Sequence, residues 1–581
     1  MTGISFKSVS FSYPGTGRVI LDGISLDIPE GQYLAVAGAN GSGKTTLLRH
    51  LNGLLVPSDG TVSVAGYTTG IKQNITQIRR ILGMVFQFPE DQIVGATVYD
   101  DCAFGPENGG MPREQITRQV EEALRKVSLW KERERPPHRL SAGQQQRLAL
   151  AGVLAMGTRY LAVDEGTIML DPGGKQDFLA ILRDLHSAGH TIIAVTQDME
   201  EFLEAEAGIV LSGGQIAARG RPEKIITLPD LPEWGLIPPP RMKLITALES
   251  RLNGSGPTAE ASARIALSDY LDAFTADPGN RKPDKISDST ANTGSAPPVI
   301  QAEHVTHRYL PGTELERTAL SDLSFTVPDG KCLAVLGSTG SGKTTALQLL
   351  AGLIPVQNGV LSIKDINLDQ KKYDAVKLRK SVGLLMQRPE DQLFEEYVTD
   401  DIAYGPSALG ITGKELRERV YSAMETAGIP YPIFKDRRIK TLSGGERRKT
   451  GVAGVLAMNP EILLLDEPVS GLDPVSRENT VSLLGTLKDG GTTIVLVTHD
   501  VDILPGLADF LLILDNGSAA FFGTAAEGYR FLYRNRNGFR CPVTAEAALR
   551  LNEKGWPPLE SFPLKDEESF AAFAVTGGNN G

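Results

Sequence analysis

Two short glycine-rich runs carry the residue types that bind phosphate. Gly38-Ala39-Asn40-Gly41-Ser42-Gly43-Lys44-Thr45-Thr46 and Gly337-Ser338-Thr339-Gly340-Ser341-Gly342-Lys343-Thr344-Thr345 each follow an apolar run and open a helical pattern. In that setting glycines let backbone N–H groups close around phosphate oxygens, and the start of the helix adds favourable dipole charge. Lys44 and Lys343 would reach the β- and γ-phosphates, and Thr45 and Thr344 would offer hydroxyls to Mg2+. Further along, two apolar runs end in Asp164-Glu165 and Asp466-Glu467. An acid at the C-terminal end of a parallel strand points into the crevice where ligands sit. Asp164 and Asp466 suit Mg2+, while Glu165 and Glu467 can polarise an attacking water. Alone, either motif could be a plain turn. Together they describe a site for hydrolysing a nucleoside triphosphate.

The elements that must position these residues occur twice. The glycine-rich runs repeat at an offset of 299 residues, Pro89-Glu90-Asp91-Gln92 returns as Pro389-Glu390-Asp391-Gln392 at 300, and the Asp-Glu pairs are 302 apart. Buried strands are expected at Leu34–Ala37, Leu161–Val163 and Ile192–Val195, with partners at Leu333–Leu336, Ile462–Leu465 and Ile494–Val497. Such runs, bounded by glycine and followed by helical pattern, predict a parallel sheet covered on both faces, hence α/β units. The spacing divides the chain into a first domain with an extension (1–253), an interval (254–298), a second domain (299–528) and a C-terminal extension and tail (529–581). The interval is rich in Ser, Thr, Pro, Gly, Asn and Asp, as in Ser287–Ser295, and reads as a flexible linker, with a short amphipathic helix around Ala263–Phe274. Its r.m.s. reach is on the order of 35 Å, enough to join two domains lying side by side.

Composition narrows the class. With 581 residues, 41% hydrophobic and 22% charged, the chain is globular rather than disordered. No apolar run approaches the ~18 residues a membrane span needs, and residues 1–11 do not read as a secretory signal. Cys102, Cys332 and Cys541 are odd in number and scattered, which excludes a disulfide framework and predicts a reduced, cytosolic-side protein. A net charge of −11 without a basic run argues against nucleic acid as the main ligand.

Leu442-Ser443-Gly444-Gly445-Glu446, with Ser443 lying 23 residues before Asp466, resembles the signature motif of ATP-binding-cassette (ABC) ATPases. Leu140-Ser141-Ala142-Gly143-Gln144 is a close variant at the same distance from Asp164. The resemblance implies two tandem P-loop ABC ATPase domains, each a parallel-sheet core with antiparallel β and helical subdomains. It implies that Tyr13 and Tyr309 stack on adenine, that Gln87 and Gln387 are the Q-loop glutamines beside Mg2+ and the attacking water, and that Asp171 and Asp473 belong to the D-loops. In this family two cassettes sandwich two ATP molecules head to tail, so Ser443, Gly444 and Gly445 would complete the site of Lys44, and Ser141, Ala142 and Gly143 that of Lys343.

The halves differ at one family residue, and the first reads Asp164-Glu165-Gly166-Thr167 where the second reads Asp466-Glu467-Pro468-Val469. A switch histidine is expected 32 residues after the catalytic glutamate; His499 stands there in the second half and Gln197 in the first. Glutamine can donate an amide hydrogen bond but cannot become imidazolium. Hydrolysis is therefore expected mainly at the Lys343/Glu467/His499 site, with ATP bound at both; the alternative is that Gln197 is tolerated and both sites turn over. The Pro-Glu-Asp-Gln elements resemble the ATPases of energy-coupling-factor (ECF) importers, which take up vitamins and transition-metal ions. That likeness implies a peripheral motor on the cytoplasmic face of the membrane, working with a transmembrane coupling subunit and a membrane-embedded substrate-binding subunit. Glu90, Asp91, Glu390 and Asp391 would be docking charges for arginines of the partner, or else a solvated acidic turn. The extensions Pro238–Leu252 and Pro542–Gly555 would hold cassettes together or be ordinary surface helices. A soluble tandem cassette of the translation-factor type and a tandem sugar-importer ATPase are the competing readings.

Overall fold

The computed structural model describes residues 3–15, 17–168, 170–252, 263, 265–274, 298–313, 316–370, 372–535 and 539–576. The chain divides into two compact units whose main bodies are Met1–Ala266 and Leu267–Leu472 with Arg477–Gly581.

Among its described residues the first unit has ten strands: β1 (Gly3–Ser12), β2 (Val19–Pro29), β3 (Tyr33–Ala37), β4 (Asp59–Val64), β5 (Tyr67–Thr68), β6 (Leu82–Val85), β7 (Tyr160–Asp164), β8 (Thr191–Val195), β9 (Ala207–Ser212) and β10 (Gln215–Gly220). They form an antiparallel sheet, order β2-β1-β4-β5, and a six-stranded sheet, order β10-β9-β3-β8-β7-β6, parallel except for the edge pair β9/β10. Both faces of β3, β7 and β8 are covered, so these strands are buried throughout and their residues alternate between two apolar clusters. Leu34, Val36, Tyr160, Ala162, Ile193 and Val195 pack toward the antiparallel sheet and the helix Lys44–Leu51. Tyr33, Ala35, Ala37, Leu161, Val163, Ile192 and Ala194 pack on the opposite face, against helices that include Ala142–Ala155 and Pro172–Ser187.

The second unit repeats this plan with β11 (Pro298–Tyr309), β12 (Arg317–Pro328), β13 (Cys332–Gly337), β14 (Asn358–Ile363), β15 (Ile366–Asn367), β16 (Val382–Leu385), β17 (Ile462–Asp466), β18 (Thr493–Val497), β19 (Phe510–Asp515) and β20 (Ser518–Thr524). Its sheets run β12-β11-β14-β15 and β16-β17-β18-β13-β19-β20. The helices Val398–Ala408, Gly413–Thr426 and Gly444–Ala457 share a separate apolar cluster around Ile402, Val420, Met424 and Ala453. All six expected core strands are present. So is the expected α/β architecture with its antiparallel and helical parts.

The two units meet in sequence between Ala266 and Leu267, inside the interval read as linker. Within that interval Leu267–Ala273 is a helix, and Lys554 donates to the carbonyls of Leu271 (2.6 Å) and Asp272 (2.8 Å). Residues 253–262 and 275–297, to which most of the flexible-linker expectation applies, lie outside the described residues. The extensions form the helices Pro240–Arg251 and Val543–Glu553. Cys102, Cys332 and Cys541 are free and buried. Among the described residues, no helix is long and apolar enough to cross a membrane.

Candidate active sites

Strand order brings the chemistry together. Because β3, β8 and β7 are parallel neighbours, the turns leaving their C-terminal ends converge on one edge, and β6 adds Gln87 from beyond β7. In the first unit Lys44 donates to the carbonyls of Gly38 (2.8 Å) and Ala39 (2.9 Å), folding the glycine-rich loop around its own ammonium. Gly43 ends the loop at φ +105°, where a Cβ would lie 2.8 Å from Leu21 Cδ2 and 3.0 Å from Ile20 O. Only glycine fits there. In the second unit Lys343 donates to Gly337 O (2.6 Å) and Ser338 O (2.8 Å), and Gly342 repeats the conformation at φ +104°.

Thr45 Oγ1 donates to Asp164 (3.0 Å) and Thr344 Oγ1 to Asp466 (3.1 Å). Burial pushes Asp164 up to about 6, against the pull of the Thr45 bond, and burial likewise raises Asp466. A hydroxyl beside a buried carboxylate is a hard oxygen pair suited to Mg2+, which takes its remaining ligands from phosphate and water. Among the described residues no cluster of three or more His, Cys, Asp or Glu could hold a metal by itself, so these pairs fit an ion that arrives with its nucleotide. Burial also lowers the Lys44 pKa, opposed by Glu165 and Asp164.

Glu165 and Glu467 are the strained residues of the two sites, at φ +47° and +51°. The neighbouring strand holds each in place: Glu165 N–H donates to Val195 O (3.1 Å) and Glu467 N–H to Val497 O (3.0 Å). Their side chains then meet different partners. Glu165 accepts from Gln87 Nε2 (2.9 Å) and from Gln197 Nε2 (2.7 Å), with Lys44 Nζ 3.8 Å away. The same Gln197 amide donates to Asn40 Oδ1 in the glycine-rich loop (2.7 Å). Glu467 instead faces His499, whose Nδ1 lies 2.8 Å and backbone N–H 3.3 Å from Oε2. Burial opposes charge on His499, but its bond and attraction to Glu467 prevail and raise the imidazole pKa. Gln387, the counterpart of Gln87, is exposed and makes no hydrogen bond among the described residues.

Tyr13 Oη lies 3.3 Å from Thr46 Oγ1, and Tyr309 Oη 3.2 Å from Thr345 Oγ1, so each expected adenine-stacking ring borders its own phosphate-loop helix. Ser141 and Ser443 each cap a helix through a reciprocal box. Gln144 and Glu446 N–H donate to the serine hydroxyls (3.3 Å each), and their side chains accept from the serine N–H at 3.0 and 2.7 Å. The amides of Ala142, Gly143, Gly444 and Gly445 therefore open helices, the polarity a phosphate requires. Asp171 caps the helix Pro172–Ser187 by accepting from Gly174 N–H (2.8 Å), and Asp473 accepts from Ser476 N–H (3.0 Å). Glu90, Asp91 and Asp391 are exposed, whereas Glu390 is half-buried and interacts with Arg448.

Several supporting residues escaped the sequence reading. Arg448 donates to the carbonyls of Ser470 (2.7 Å), Pro468 (2.8 Å) and Glu467 (3.2 Å), clamping the turn that carries the second glutamate. Its counterpart Gln146 reaches Phe86 O (3.2 Å) instead. The first unit stabilises its turn differently: Glu201, buried, accepts from Thr167, from Thr196 (2.8 Å) and from Lys175 (2.9 Å). In the second unit Val469 and Ile503 stand at those positions of Thr167 and Glu201. A Cβ on Gly166 would meet Val163 Cγ1 at 2.7 Å and Phe178 Cζ at 3.0 Å; the second unit has Pro468 there, with Leu465 and Thr480 in place of those two neighbours. These exchanges come in pairs, so comparing the two halves position by position reveals them.

The ABC transporter family model matches residues 21–168 and 320–470. An ABC transporter ATP-binding protein of Bifidobacterium longum is 36% identical over 87% of this chain, which spans 64% of that relative's length. One from Caldanaerobacter subterraneus subsp. tengcongensis is 32% identical over 91% of this chain and 92% of its own length. A solved structure of cbiO1 from Clostridium perfringens, described as part of the ABC transporter complex cbiONQ, is 32% identical over 38% of this chain and 89% of its own, at a TM-score of 0.36. The phosphate loops, strand-end acid pairs and capped signature helices thus have their explanation: the chain belongs to the ABC transporter family and carries two ATPase cassettes, which bind ATP with Mg2+.

Proposed function

We propose that this chain is the ATP-hydrolysing motor of an ECF-type importer, taking up a vitamin or a transition-metal ion through separate membrane-spanning chains. The observation that carries this reading is the Pro-Glu-Asp-Gln turn repeated on both units. It forms a short 3-10 turn at Pro89–Asp91 and at Pro389–Gln392, two residues beyond Gln87 and Gln387. Exposed carboxylates of Glu90, Asp91 and Asp391 belong to it, and exposed apolar side chains follow in sequence: Val94 and Phe104 in the first unit, Phe394 and Tyr404 in the second. The rings of Phe394 and Tyr404 meet edge-on at 4.7 Å. Acidic charge beside exposed apolar surface suits an amphipathic helix bearing arginines, in which charge supplies orientation and apolar contact supplies affinity.

The cassettes would act as a pair within one polypeptide, each phosphate loop completed by the other's signature. ATP would bind at both sites. Turnover would occur mainly where Glu467 faces His499, because Gln197 supplies no imidazolium to the developing phosphate charge. Expression of the full chain with membranes of its own organism, followed by co-purification, tests the reading. A small hydrophobic chain with arginines in its inward-facing loops should accompany the wild type and be lost with Glu90→Lys/Asp91→Lys/Asp391→Lys, while basal ATPase activity persists. Co-sedimentation with ribosomes and no membrane partner would refute it.

A further inference from the structure

Each switch residue is followed, three positions later, by an acid: Glu200 after Gln197 and Asp502 after His499. Both acids are bound by the C-terminal extension of their own unit. Arg241, in the first turn of Pro240–Arg251, grips both oxygens of Glu200 with Nε (2.7 Å) and Nη2 (2.9 Å). The same guanidinium donates to the carbonyls of Ala263 (2.8 Å) and Ile265 (2.9 Å). In the second unit Asp502, whose side chain is only 7% exposed, accepts the N–H of Val543 (2.9 Å), the first residue of Val543–Glu553, and pairs with the Arg540 guanidinium. The segment's other end is fixed within the cassette, because Asp500 accepts from Arg477 Nε (2.6 Å) and from Asp502 N–H (3.3 Å).

We propose that Arg540 is a positioning residue for hydrolysis: by holding Asp502 it fastens the C-terminal extension to the turn after His499 and keeps that imidazole on Glu467. The Arg241–Glu200 pair, built from different residues at the equivalent place, shows that the fastening recurs. A bidentate or doubly satisfied acid at this point would be superfluous for a surface helix. It has a use if the turn must stay registered on the helix behind it. A displacement of about 1 Å at a catalytic group can cost up to 10²-fold in rate. Arg540 is itself about half exposed, so its loss removes the charged part of the fastening, leaving the Val543 N–H bond to Asp502, without opening the core.

This inference rests on His499 serving the hydrolysing site, so the experiment measures both. ATP turnover of the full chain is followed for wild type, His499→Ala, Arg540→Ala and Arg540→Lys, with thermal unfolding alongside. Arg540→Ala should lower kcat by roughly 10-fold or more with KM for ATP within about 2-fold, the pattern of a lost transition-state contact. Arg540→Lys should recover most of the rate, and unfolding should shift by only a few degrees. If His499→Ala turns over like wild type, the reading of the second site fails. If His499→Ala is inactive while Arg540→Ala keeps the wild-type kcat, or if lysine rescues nothing and unfolding falls in step with rate, the positioning role is overturned.

Discussion

Replacing Glu467 by glutamine tests the asymmetry between the sites most directly. Glutamine keeps the size of the side chain and one acceptor oxygen, so the 2.8 Å approach of His499 Nδ1 and the left-handed backbone need not change. What it removes is the capacity to take a proton from water, a loss of about 10²–10⁴-fold. That corresponds to roughly 2.7–5.4 kcal/mol of barrier. Glu165 is placed differently: one oxygen receives Gln197 and the other Gln87, so an incoming water finds both oxygens already shared with an amide donor. On the proposed asymmetry, Glu165→Gln should change steady-state kcat by less than about 3-fold. Phosphate release from the full chain under saturating Mg-ATP, with KM determined for each variant, reads both effects. Equal abolition by the two substitutions would refute the reasoning. So would a Glu165→Gln effect larger than that of Glu467→Gln.

Three further outcomes follow from the same geometry. Arg448→Gln, which installs the first unit's residue in the second, removes three carbonyl partners and should destabilise by about 1.5–3 kcal/mol while lowering kcat; an unchanged melting temperature would show the clamp to be idle. Because the folded-state pKa of His499 lies above its ordinary value, the His499–Glu467 interaction is complete below that ordinary value and is lost as pH rises through the raised one. An alkaline fall in kcat should accordingly appear in wild type and vanish from the residual activity of His499→Gln; an identical limb in both would exclude the imidazole as its source. Asp164, raised from 3.8 to about 6, holds its proton more tightly folded than unfolded, so stability declines between those values and stays lower above them. Mg-ATP should therefore raise the melting temperature more above pH ~7, where the buried carboxylate is charged and needs the cation, than below pH ~5; a pH-independent gain would mean the ion does not bind there.

The sequence was most informative where one residue type satisfies a backbone or charge requirement alone. Gly43 and Gly342 are the only residue type that survives φ near +105° beside a neighbouring carbonyl, and Lys44 is a compact ammonium on a long stem that folds back on Gly38 and Ala39. The all-apolar strands could be read because a sheet covered on both faces admits no polar phase. Supporting contacts were silent for the converse reason. Gln197 carries a single spacing-based meaning in sequence, yet in three dimensions its amide bridges Glu165 to Asn40, which precedes Gln197 by 157 residues. Arg448, Arg477, Arg241 and Arg540 look like ordinary charged positions, because arginine on a helical pattern defaults to solvent. Only the carbonyl or carboxylate at the far end gives each a purpose. Internal duplication supplies a partial remedy. Where one half places Thr167 and Glu201 and the other Val469 and Ile503, polarity changes at both positions together, so a contact is legible as a correlated exchange between two copies of one fold. By that logic the acid after the switch residue, kept as Glu200 and Asp502 while its neighbours drift, marks an interaction that both halves have retained through different arginines.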